Sequence, residues 1–239
     1  MTRILVVDNY DSFAYNLVQY VGEAVSEARG GDESADGSSS DGSDDVLVYR
    51  NDALSTDDVR DIDPDGIVVS PGPGTPAEAG VSVSVFRDLD YPTLGVCLGH
   101  QSLCAALGSR VGHAPHVVHG KPSLVEHDGA GVFSGLPDRI EVGRYHSLAV
   151  EHEDVPPELA VTAYTVAEGS EAENSDGDTG TEGDEPAVVM GVRHREKPHV
   201  GVQFHPESIL TDSGKDIVRN FVALAVGDGP AAAAWEGER

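Results

Sequence analysis

Cysteine is nearly absent from this chain: 239 residues contain only Cys97 and Cys104. They lie seven apart on one expected turn-and-helix unit and cannot staple a fold, so stability must come from a packed core. Lysine is almost as scarce, at Lys121, Lys197 and Lys215, and 15 basic residues face 42 acidic ones for a formal net charge of −27. A surface so short of positive charge repels phosphate backbones and anionic headgroups, which argues against nucleic-acid and membrane partners. No apolar run reaches the length of a bilayer-spanning helix. Met1 to Asp8 reads as a strand rather than a secretion signal, so the expected location is cytoplasmic. Neither G-x-x-x-x-G-K-S/T nor G-x-G-x-x-G occurs, which removes the common phosphate-binding loops. There is no internal repeat.

Part of the acidity is concentrated. Ser26 to Asp45 carries seven acids and one arginine, and Glu168 to Glu185 carries eight acids and no base. Such Ser/Gly/Asp-rich tracts bury too little apolar surface to order themselves and read as surface insertions. The rest of the chain still holds an acidic excess of 13. That suits a protein kept soluble in concentrated cytoplasmic salt, where screening weakens self-repulsion.

Between the tracts, strand and helix alternate. Ile4–Val7 and Gly66–Ser70 are short apolar runs suited to buried parallel strands, Val46–Tyr49 is the next strand after the first acidic tract, and Thr93–Val96 leads as a short apolar strand into the turn at Cys97. A helix is expected from an N-cap at Asp11 or Ser12 to about Ala28, with Phe13, Leu17, Tyr20, Val21 and Val25 on its inner face. Further helices are expected over Asp57–Ile62, Val81–Leu89, Gln101–Leu107 and Ser213–Val226. From Arg110 to Tyr164, including Val132–Phe133, the pattern breaks into short strand-like pieces, and Ala187–Arg193 and Val200–Phe204 return as strands. The expectation is an α/β fold: an open, mostly parallel sheet with helices on both faces and small antiparallel flanking strands. One domain should cover residues 1–227, with acidic insertions at 26–45 and 168–186, followed by a frayed tail at 228–239.

Three stretches carry chemistry. Gly95-Val96-Cys97-Leu98-Gly99 has the form of a nucleophile elbow with cysteine in the serine position. Small residues flank the nucleophile because the strand-to-helix turn is too tight for side chains there. The following helix amides favour negative charge on the sulfur. A buried cysteine in a glycine-flanked turn would look similar. The second stretch is His205-Pro206-Glu207, where two side chains two apart in an extended segment point the same way and proline stiffens the pair. A histidine held by a carboxylate suits a general base for a thiol, although a surface turn with an incidental ion pair has the same letters. The third is Ser70-Pro71-Gly72-Pro73-Gly74, a rigid loop that leaves the Gly72 amide available, or else a plain turn. His113, His116 and His119 lack cysteine or acidic companions, so no metal site is expected there. Cys104 reads as a small buried apolar residue, and His146 in its polar loop carries little signal.

Taken in order, D-N-Y-D-S-F-A-Y-N-L (8–17), S-P-G-P-G-T-P (70–76), G-V-C-L-G-H-Q (95–101), V-V-H-G-K (117–121), R-Y-H-S-L (144–148) and F-H-P-E-S-I-L-T (204–211) resemble the class I (triad) glutamine amidotransferases, nearest to the anthranilate synthase component II branch. The resemblance spans Arg3 to about Ala225 apart from the acidic insertions. It implies Cys97 as nucleophile with His205 and Glu207 completing the triad. It also implies a glutamine site lined by Gly72, Pro73, Gly74, Gln101, Ser147 and Leu148, with the amides of Leu98 and Gly72 as the oxyanion hole. L-glutamine would be the substrate. Ammonia would pass to a chorismate-binding component I subunit in a hetero-oligomer, with no cofactor on this chain and Mg2+ on the partner. Alternatives are the amidotransferase subunit of aminodeoxychorismate synthase, a cysteine hydrolase or peptidase on the same elbow, and a non-catalytic binding subunit.

Overall fold

The computed structural model describes residues 2–29, 45–113, 120–166 and 187–227. Most of both acidic tracts, His116, His119 and the expected tail lie outside the described residues. Five strands run parallel: β1 (Ile4–Asp8), β2 (Val46–Arg50), β3 (Gly66–Val69), β4 (Thr93–Val96) and, far along the chain, β11 (His199–Val202). Between them come β5 (Gly112–His113), β6 (Lys121–His127), β7 (Arg139–Arg144), β8 (Leu148–Ala149), β9 (Leu159–Thr165) and β10 (Val189–His194). The order across the main sheet is β2-β1-β3-β4-β11-β10-β9-β6-β7, and β5 pairs with β8 in a separate ribbon. The antiparallel strands thus extend the parallel sheet through the β11–β10 pair rather than forming a separate layer.

Alternation along β1 shows how the sheet is covered. Ile4 and Val6 face one core with Leu17, Val21 and Val25 of α1 (Ala14–Ala28) and Ile217, Val218 and Phe221 of α5 (Gly214–Ala225). Leu5 and Val7 face a second core, which contains Val59 of α2 (Thr56–Ile62), Val85 and Phe86 of α3 (Ser82–Asp88), and Leu103 and Cys104 of α4 (Leu98–Ala106). Strands buried on both faces need apolar residues at every position, which is why these runs do not alternate in polarity.

Two local expectations change. Helix α1 begins at Ala14 without a side-chain cap, because Asp11 spends its carboxylate on the Phe13 amide (3.0 Å) in the preceding turn. Phe13 is therefore outside the helix and 56% exposed, not on the inner face. Gly131–Phe133 forms a 3-10 turn rather than a strand, and it buries Val132 and Phe133 against α5.

Candidate active site

Cys97 stands between β4 and α4 with φ 52° and ψ −100°, a left-handed conformation that a side chain adopts at a cost of about 1–3 kcal/mol. The turn is held by its surroundings. The Cys97 amide donates to the Val202 carbonyl of β11 (2.9 Å), and the Gln101 amide closes the first helical turn on the Cys97 carbonyl (3.0 Å). A Cβ on Gly95 would lie 2.5 Å from the Gly99 carbonyl carbon and oxygen, and one on Gly99 would strike the Val69 carbonyl of β3. The glycines flanking the cysteine are therefore close-approach residues, as the elbow pattern requires.

Register brings the second half of the site to the first. In the parallel β4–β11 pair Val96 lies beside Val202, so Cys97 and the segment 203–207 leave the sheet together at its carboxyl edge. His205 is fixed through its backbone, donating its amide to the Gly143 carbonyl (3.2 Å) and accepting from Thr211 Oγ1 (2.8 Å). Its ring Nδ1 lies 2.6 Å from Glu207 Oε1, and both side chains are buried. Burial opposes charge on this ring, but the nearby Cys97 and the Glu207 carboxylate bonded to Nδ1 outweigh it and raise His205 to about 10. Among the described residues Nε2 has no partner in hydrogen-bonding geometry. The sulfur acts on the ring without yet meeting it in bonding geometry, a contact that commonly tightens when substrate binds. The Tyr145 ring packs edge-on against His205 at 5.1 Å, and Asp11 is close enough to Glu207 and His205 to feel both charges.

Three side chains form a polar chain that ends on the sulfur. The Leu148 carbonyl accepts from Gln101 Nε2 (3.1 Å), Gln101 Nε2 also donates to Gln203 Oε1 (3.2 Å), and Gln203 Nε2 donates to Cys97 Sγ (3.6 Å). His146 Nδ1 lies 2.9 Å from the same carbonyl while its Nε2 accepts from Arg144 (3.3 Å), which fixes a neutral ring protonated at Nδ1. Burial, followed by the Arg144 charge, pushes His146 down to about 4. His100, one turn along α4 from Cys97, is also pushed to about 4 by burial, which outweighs the Gly201 backbone beside its ring.

The Ser70–Gly74 loop leaves β3, the strand beside β4, at the same sheet edge. Asn9 holds it: its amide donates to Ser70 Oγ (2.9 Å), its side chain donates to the Ser70 carbonyl (2.8 Å), and its Oδ1 accepts from Asn51 and Ser82 (both 2.8 Å). A Cβ on Gly72 would come within 2.5 Å of Asn9 Cβ. Pro73 and Gly74 are exposed on the outer part of the loop, where Gly74 adjoins the Glu78 carboxylate that caps the next turn.

The structure thus brings together Cys97, Leu98, Gln101, Leu148, His205 and Glu207, sets Gly72 on the adjoining loop, and leaves Ser147 exposed one residue before Leu148. Sequence reasoning passed over Gln203, His146, Asn9, Tyr145 and Thr211. Each lies inside or beside a motif already singled out, but only the fold shows which of them turn inward.

A cysteine on a strained strand-to-helix turn at the carboxyl edge of a parallel sheet, faced by a histidine–glutamate pair, defines an α/β protein of the cysteine-elbow class. A family model, glutamine amidotransferase class-I, matches residues 43–225. An anthranilate synthase component II of Haloarcula marismortui is 57% identical over 218 residues, covering 91% of this chain and 96% of that one. An anthranilate synthase component 2 of Thermus thermophilus is 47% identical over 222 residues, covering 92% and 91%. The crystal structure of a glutamine amidotransferase from Thermotoga maritima superposes with a TM-score of 0.61 at 15% identity, covering 94% and 98%, a likeness of fold. The chain belongs to the class-I glutamine amidotransferase family.

Proposed function

We propose that this chain is the glutamine-hydrolysing subunit of an anthranilate synthase, with Cys97 as nucleophile, His205 as acid and base, and Glu207 orienting His205. The observation that carries this reading is the convergence of the strained Cys97, the Gln203 amide and the His205–Glu207 pair on one sheet edge. The names of the Haloarcula and Thermus relatives support the assignment to anthranilate synthase.

With imidazolium favoured beside it, the sulfur attacks the side-chain carbonyl carbon of L-glutamine. The oxyanion gathers on the amides of Leu98 and Gly72, a contribution of about 3–4 kcal/mol per well-placed donor. His205 gives its proton to the amide nitrogen, the C–N bond breaks, and ammonia leaves. Water, deprotonated by His205, then cleaves the γ-glutamyl thioester to glutamate and regenerates the thiol. Glutamine would lie between the Gly72–Gly74 loop and the Gln101, Ser147 and Leu148 wall. Ammonia would be used by a separate chorismate-binding subunit that carries Mg2+, this chain needing no cofactor of its own.

The test is paired synthesis. With the partner subunit present, Cys97→Ser should abolish anthranilate formation from glutamine and leave formation from ammonia intact. Loss of both, or of neither, would overturn the reading. The excess of 27 negative charges supports work in concentrated salt. Full activity and an unchanged unfolding midpoint without added salt would refute that part.

A further inference from the structure

We propose that Gln203 is a catalytic residue, a side-chain amide donor that holds the Cys97 sulfur in its anionic form. The proposal rests on Cys97 being the nucleophile. Its starting point is the polarity of the chain that ends on the sulfur. A backbone carbonyl can only accept, so the group that Gln101 turns toward Leu148 must be its NH2. The same nitrogen meets one end of the Gln203 amide at 3.2 Å, and that end must be the oxygen. The remaining end, 3.6 Å from Cys97 Sγ, is then the NH2. The orientation of Gln203 follows from an obligatory acceptor two links away rather than from a choice at the sulfur.

Three further features fit a donor on a reacting atom. Gln203 is fully buried, so its N–H faces no competing water. Its backbone is pinned, the amide donating to the Met190 carbonyl of β10 at 2.9 Å. The β4–β11 register places it directly beyond Val202, whose carbonyl accepts from the Cys97 amide, so nucleophile and donor are fixed to one another through the sheet. A thiolate is a far better acceptor than a thiol, so an N–H aimed at the sulfur favours the ionised state. The sulfur thus has the Gln203 N–H against it and the His205 charge nearby. His205 supplies charge and moves protons, while Gln203 supplies a fixed dipole and exchanges none.

The experiment is alkylation of Cys97 by iodoacetamide across pH, followed by peptide mapping, in the full chain. Gln203→Met keeps the length of the side chain and removes the donor. At pH values below the wild-type midpoint its Cys97 should react about tenfold more slowly than wild type, with the half-maximal rate moved up by about one pH unit. The kcat for glutamine should fall by more than KM changes, because the side chain touches the sulfur directly and the substrate site only through Gln101. Alkylation at the wild-type rate and pH midpoint would overturn the proposal. A second readout needs no variant: the chain has only three glutamines, Gln19, Gln101 and Gln203. In 15N-glutamine-labelled protein a buried side-chain NH2 should shift with the same pH midpoint as alkylation, and shift again once Cys97 is alkylated. If no side-chain NH2 responds to either, the proposal fails. Alkylation that leaves glutaminase activity intact would remove Cys97 as nucleophile and Gln203 with it. Alkylation that abolishes activity, with Gln203→Met reacting like wild type, would remove Gln203 alone.

Discussion

The two walls of the site are held by different forces. On the Cys97 side, backbone packs on backbone: Gly95 against Gly99, Gly99 against Val69, and the Cys97 amide on the Val202 carbonyl. On the His205 side, polar bonds position the ring: His205 to Gly143, Thr211 to His205, and Nδ1 to Glu207. A packed wall has no room for an added atom, whereas a bonded wall can lose one partner at a time. The first should fail abruptly and the second by degrees.

The most damaging change separates chemistry from both walls. Cys97→Ser should reduce glutaminase activity by about 10³-fold or more while leaving the urea midpoint within error of wild type. Glu207→Gln keeps the shape of the bonded wall but removes the charge that favours imidazolium. Glutaminase kcat should fall by about 10²–10⁴-fold in steady-state assays, and a smaller effect would show that Nδ1 needs no carboxylate. Gly99→Ala tests the packed wall. Its methyl meets the Val69 carbonyl, so urea unfolding should show a loss of about 1–3 kcal/mol or more, together with lost activity as Cys97 shifts.

Thr211→Val is the graded counterpart. It leaves the His205 carbonyl and the Gly143 amide, bonded to Oγ1 at 2.8 and 2.9 Å, without that partner. A stability loss of about 1–3 kcal/mol with partial activity is expected. No loss would show that the bonded wall is redundant.

The smallest effect is read as a pH slope. Burial, with the Lys197 charge second, pushes His199 down to about 4, so its neutral form is the one the fold favours. That contribution is complete above about pH 6.5 and is lost as pH falls toward 4, at up to about 1.4 kcal/mol per pH unit. His199→Gln should flatten the acid limb of a stability–pH profile. His205 has the opposite sign: the contribution of its charged ring is complete below about pH 6.5 and is lost as pH rises through about 10.

The same contrast explains what could be read from the sequence. The packed wall is local: β4, Cys97 and α4 are consecutive, and G-x-C-x-G states the steric requirement within five letters. Strands β1 and β3 were legible for a similar reason, since doubly buried strands must be apolar throughout, whereas β2 lies at the sheet edge with Val48 and Tyr49 exposed. The bonded wall joins residues from about 140 to 211, and nothing in the spacing of Gly143, Tyr145 and Thr211 shows that they meet His205. Gln203 was hidden inside a motif read for its histidine and glutamate, because the direction of an amide depends on neighbours a hundred residues away. Phe13 misled because helical spacing was extended one turn past a carboxylate that bonds locally. Val132–Phe133 misled because two apolar letters cannot distinguish a buried turn from a strand.

The central claim is that Cys97 attacks glutamine under the control of His205 and Glu207. Incubation with a diazoketone analogue of glutamine, followed by peptide mass mapping, tests it most directly. The expected result is one adduct on Cys97, prevented by excess glutamine, much slower in Glu207→Gln, and matched one-to-one by loss of glutaminase activity. Labelling at Cys104, or loss of activity with Cys97 unmodified, would contradict it.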